Sequence, residues 1–199
     1  MPFYAWPFLL VIKKYLRQFD KVDQIFFSAN SRKEGESKGF NKMRFKIDFK
    51  DHEIITYTHS KGTSSRHKNT IPVRDWTELM RYFVIERLDL CKKAFQEGYY
   101  LYGVELSNHI DEQGRIEFPE TKFIYDGNFV SVNYKALSKQ FKYFPCRKHY
   151  YGVERFWGQL CQKEKAFCAH SSNTDHYDRP YPPSNYRTSC VSTSSGKSY

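Results

Sequence analysis

The sequence predicts an α/β protein, a three-layer α/β/α sandwich with a mostly parallel central sheet. Three observations carry that prediction. Stretches with the three-and-four spacing of a buried helix face take turns with short strand-like runs, an order that buries both faces of a sheet. The chain of 199 residues suffices for a single sizeable core. No apolar run approaches the roughly 18 residues that a membrane-spanning helix needs.

In chain order, Pro7 to Phe19 reads as a buried amphipathic helix, with Phe8, Leu9, Ile12, Tyr15, Leu16 and Phe19 on one face. Lys13, Lys14 and Arg17 interrupt it too early for a span, and the basic start and small-residue cleavage site of a secretory signal are absent. Gln24 to Ser28 reads as a short strand, 30–41 as an exposed loop, "MRFKIDF" as an alternating strand and "EIITYTH" as another. A long core helix is expected from Asp75, where Asp75 and Glu78 make a D-x-x-E capping box, to Phe95. "YYLYGVELSN" is a strand, "HIDEQGRIEFPET" a loop or hairpin, and "KFIYDGNFVSVN" a strand interrupted at Asp126, Gly127 and Asn128. "YKALSKQF" and "VERFWGQLCQKEKAF" are the closing helices, and "VSTSSGKSY" is expected to be a disordered tail.

A net charge of +10 favours an anionic partner: nucleic acid, a phosphorylated metabolite or an acidic polymer. Five cysteines without a CxxC pair point to a reducing, cytoplasmic setting. Cys161, Cys168 and His170 lack the fourth ligand of a structural zinc site.

Three short stretches carry candidate chemistry. "THSKG" sets His59, Ser60, Lys61 and Gly62 at a strand end, where ligands of α/β sheets bind; a lysine beside a glycine suits a phosphate, as it equally suits a basic solvated loop. The lysine precedes the glycine, so this is no Walker A loop. "YDGNF" offers Asp126 and Asn128 around Gly127, either a plain Asp-Gly turn or a place where sugar hydroxyls meet backbone. "YGVERFWG" puts Glu154 at a helix start among aromatic rings, either a dipole-favoured surface carboxylate or a general base beside an acceptor platform that includes Trp157.

The order "FDKVDQIFF", "YTHSKG", "DWTELMRYFVIERLDLCKKAFQEGYYLYGV", "GNFVSVNYKAL", "ERFWG" and a late His-Ser before "HYDRPYPPSNY" resembles GT-A-type glycosyltransferase domains of the kind found in bacteria and large DNA viruses. It is similar to the N-terminal domain of a multi-domain chlorovirus protein, over roughly residues 8 to 186. The resemblance implies a domain over 1–188, followed by the tail 189–199, that moves a sugar from a nucleotide-diphosphate donor to a glycan hydroxyl.

It further implies His59, Lys61 and Gly62 at the donor phosphates, and Asp126, Gly127, Asn128 and Trp157 at donor sugar or acceptor. Glu154 would be the base of an inverting reaction, and Glu105 with His170 would hold a divalent cation, Mn²⁺ or Mg²⁺. The acidic D-x-D pair usual after the "YYLYGVELSN" strand is reduced to Glu105, and the first central strand of such domains is missing ahead of the opening helix. Two other readings compete: an inactive relative that binds glycans or acts as a scaffold, and a basic, aromatic-rich nucleic-acid-binding module. The latter lacks any RNP motif, zinc-finger spacing or recognition helix, so no specific nucleic acid is expected.

Overall fold

The computed structural model describes residues 6–28, 33–59, 70–108 and 112–187. Its central sheet has the strands β1 (Ile54–Tyr57), β2 (Leu101–Gly103), β5 (Val130–Asn133) and β6 (Ala166–Cys168) in the order β1-β5-β2-β6. A two-stranded ribbon of β3 (Leu106–Ser107) and β4 (Ile124–Tyr125) extends from it.

Strands β1, β2 and β6 run one way and β5 the other. Because β5 lies between β1 and β2, only the β2–β6 pairing is parallel, and the expected mostly parallel sheet is corrected to a mixed one. The cause is local. β4 lies antiparallel to β3 and β5 antiparallel to β2 in nearly one register, so the chain turns back between Ser107 and Ile124 and runs on through 126–128 in the reversed direction, with no crossover that would return it parallel.

Helices cover both faces. Leu101, Val130, Val132 and Ala166 point toward Phe40 of α2 (Ser37–Lys46), Phe141 of α6 (Tyr134–Tyr143), and Phe156 and Trp157 of α7 (Gly152–Leu160). On the other face Tyr102 meets Cys91 and Ala94 of α4 (Leu88–Gln96). α4 is the end of a nearly continuous rod that starts with α3 (Ile71–Arg81) and passes through a π-helical turn, Tyr82–Glu86.

That rod begins four residues before the expected capping box. Thr70 precedes it and Pro72 occupies the first turn, where a missing N–H is harmless, so Asp75 and Glu78 lie inside the helix. The first helix, α1 (Trp6–Leu16), was expected to be buried, but Leu10, Val11, Ile12 and Tyr15 are exposed.

Residues 24–28 run without a strand partner, so the expected strand there is absent. The segment read as loop and then strand is α2. Phe40 and Arg44, four apart, define its buried side, and the Arg44 guanidinium donates to the carbonyls of Phe141 (2.6 Å) and Phe144 (3.0 Å). Alternation in "MRFKI" fits both periods, and this buried arginine decides for the helix. Part of the expected loop after β3 is helix α5 (Glu112–Glu117), and "AFC", read as the end of a helix, is β6. The tail 189–199 lies outside the described residues.

Candidate functional site

The turn between β4 and β5 organises the candidate site. Gly127 has φ +91°, and a Cβ there would stand 2.3 Å from Met80 Sδ and 3.0 Å from the Trp76 ring. Glycine is required both for the left-handed backbone and for the close approach of α3. Asn128 follows at φ 63°, a conformation that asparagine tolerates better than most residues.

Asn128 is 3% exposed and uses both ends of its amide: Oδ1 accepts from Trp157 Nε1 (2.6 Å), and Nδ2 donates to Glu36 Oε1 (2.7 Å). Glu36 immediately precedes α2. Its other oxygen lies 3.5 Å from His59 Nδ1, an ion pair when the imidazole is protonated. His59 Nε2 donates to the Gly127 carbonyl at 3.0 Å. The Tyr57 phenol, raised in pKa first by burial and then by the charge and hydrogen bond of Glu36, completes the group and stacks on His59. Segments distant in sequence are thus locked around one turn.

α7 is pressed against this turn. A Cβ on Gly158 would stand 1.9 Å from the Phe123 carbonyl oxygen, so the helix approaches the chain entering β4 as closely as backbone allows. That approach brings Trp157 to Asn128 and sets Glu154, half-buried in the first turn of α7, near the strap that follows β6. The Tyr177 phenol on that strap is raised in pKa by burial first, then by the charge of Glu154 and, more weakly, by Tyr150, Tyr151 and Asp126.

The other side of the turn is built on Glu105, at φ 51° just past β2. Its carbonyl accepts from Asp126 N (3.0 Å) and its N–H donates to the His170 carbonyl (2.9 Å). The carboxylate, 8% exposed, accepts from Ser172 N (2.9 Å) and His176 Nε2 (3.1 Å). Burial opposes its ionisation, but the hydrogen bonds from His176 and Ser172 prevail and hold the carboxyl below its ordinary range. His176 stacks on Trp76 (5.1 Å), and its Nδ1 is buried without a hydrogen-bond partner. His170 stacks on Phe83 and bonds the Tyr181 hydroxyl through Nε2 (2.9 Å). Its pKa is lowered, chiefly by burial.

Of the expected site residues, His59, Asp126, Gly127, Asn128 and Trp157 gather at the turn, with Glu154 on the adjoining helix. Trp157 is corrected in role: it is fully buried, so its ring has no face for a sugar, and it positions Asn128 instead. Lys61 and Gly62 lie outside the described residues. Glu105 and His170 are backbone neighbours whose side chains are engaged elsewhere. Among the described residues no group of three or more His, Cys, Asp or Glu side chains is arranged to hold a metal ion.

Glu36, Tyr57, His176 and Tyr177 were not singled out from sequence. Glu36 sits in "KEGES", which reads as solvated loop, and its one local signal is the serine that starts α2. Comparison of the chain with protein-family models, curated proteins and solved structures finds no match.

Proposed function

We propose that this chain is a GT-A-like glycosyltransferase domain that transfers a sugar from a nucleotide-diphosphate donor to a glycan hydroxyl, with inversion. The observation that carries the reading is the convergence at one turn of segments selected for this chemistry: His59 bonds Gly127, Trp157 bonds Asn128, and Glu154 stands in the first turn of the helix that carries Trp157. The mixed α/β architecture, with helices on both faces of the sheet, is compatible with that assignment.

In this reading the acceptor oxygen forms a bond to the anomeric carbon while the carbon–oxygen bond to the diphosphate breaks. The hydroxyl proton passes to the Glu154 carboxylate, and the negative charge leaves with the diphosphate. His59, and Lys61 outside the described residues, would supply positive charge to those phosphates. Of the turn residues Asp126, half-buried, would meet the sugar, since Gly127 and Asn128 are buried and their carbonyl and amide groups are engaged by His59, Trp157 and Glu36. The described residues do not fit a divalent cation, because Glu105 is occupied by Ser172 and His176, and no step is routed through one. Four unpaired cysteines among the described residues fit a reducing cytoplasmic compartment.

The same occupied carboxylate favours a second reading, a relative that binds donor or glycan without turnover. One experiment separates the two: thermal unfolding with a panel of uridine, guanosine and thymidine diphosphate sugars, with and without Mn²⁺, followed by assay for released diphosphate. A rise in Tm with turnover supports the enzyme, a rise without turnover the inactive binder, and no rise with any donor overturns the enzyme and donor binding alike, leaving only a glycan binder.

A further inference from the structure

Helix α1 contributes no residue to the buried core clusters; within residues 9–16 only the stripe Leu9, Lys13 and Leu16 is half-buried and the rest is exposed. Leu10 and Val11 are each 66% exposed, Ile12 47% and Tyr15 58%, with Phe19 just beyond the helix at 47%. Successive helical residues point about 100° apart, so exposed side chains at 10, 11 and 12 spread apolar surface around much of the circumference. A protein groove takes one stripe at i, i+3, i+4 and i+7. Hydrocarbon accepts a helix on every side.

The charges are as one-sided as the apolar surface is broad. The helix has no acidic residue, Lys13 and Lys14 occupy its last turn, and Arg17 follows. Its 11 residues span about 16 Å, roughly half the ~30 Å of a bilayer's hydrocarbon core. Among the described residues no helix is long and apolar enough to cross a membrane, but this one has the length to enter a single leaflet. Tyr15, near the cations, is of the kind that settles at the headgroup level.

We propose that α1 is a monotopic anchor for an anionic bilayer surface. Leu10, Val11 and Ile12 enter the acyl region of one leaflet, and Lys13, Lys14 and Arg17 meet lipid phosphates. An apolar segment together with a basic cluster gives the two signals that stable but reversible membrane binding requires. This inference is independent of the chemistry assigned to the site.

The test is flotation of the full chain with vesicles of phosphatidylcholine alone, or with about 30% phosphatidylserine. Binding to the anionic vesicles is expected, and weaker binding to the neutral ones. Each cation near such a surface strengthens binding about fivefold, so Lys13→Gln, Lys14→Gln and Arg17→Gln combined should weaken it roughly a hundredfold. Leu10→Ser, Val11→Ser and Ile12→Ser combined should abolish flotation without moving Tm, because these side chains are already exposed. Three results would overturn the proposal: no flotation with either vesicle; flotation that survives the serine substitutions, which marks adsorption by net charge alone; or vesicle-independent dimerisation lost in the serine variant, which assigns the face to a second copy of the chain.

Discussion

The turn at 126–128 has two walls of unlike construction. On the α2 and α7 side, Glu36, Asn128 and Trp157 come from widely separated parts of the chain, and both ends of the Asn128 amide are bonded. On the other side, Ser172 and His176 belong to one irregular strap that closes on Glu105 and is held by rings stacked on Trp76 and Phe83. The first wall cannot move without opening the core. The second is one segment held by a few hydrogen bonds and stacked rings, so it is expected to open first, at a cost below that of global unfolding.

The largest test is on the rigid wall. Trp157→Ala empties a fully buried indole site and strands the Asn128 carbonyl oxygen, so urea denaturation should show a loss of about 3–5 kcal/mol. Gly127→Ala comes next, at about 2–4 kcal/mol, because the added methyl meets Met80 and Trp76 on a left-handed backbone. If both variants unfold at wild-type denaturant concentrations, the turn is not the keystone described here.

These same positions show what sequence could disclose. The interrupted strand around "DGN" was legible because glycine between alternating runs has few other uses, and α3 to α4 was legible because its apolar period persists for many residues. β6 was not, since three residues carry no period. α2 was misassigned because a buried arginine is invisible to a hydrophobic pattern; its burial depends on carbonyls about 100 residues away. Glu36 shares that difficulty: its importance lies in Asn128, His59 and Tyr57, none of them near it in the chain.

On the strap side the expected effect is smaller and depends on pH. The Glu105 carboxyl is held below its ordinary value of 4.5, so its ionised form favours the folded state. That contribution is complete above 4.5 and is lost as pH falls through the lower value in the folded protein. Glu105→Gln should therefore flatten the acid limb of the stability curve, measured by Tm between neutral and acid pH. It should also raise hydrogen exchange in 170–181 more than in α7. Equal effects on both segments would mean that the two walls open together.

The smallest stability effect is expected at Glu154, which adjoins both walls. Its charge in the first turn of α7 interacts favourably with the helix dipole, so Glu154→Gln should lower stability by only about 0.3–1 kcal/mol. If Glu154 takes the acceptor proton, the same change should reduce transfer by about 10²–10⁴-fold, with donor-induced Tm shifts preserved, because the group acts on the proton and not on the diphosphate. Stability and turnover then part company at this residue, whereas at Trp157 they fall together. A variant that keeps both its fold and its full transfer rate would remove Glu154 from the chemistry while leaving the rigid wall as described.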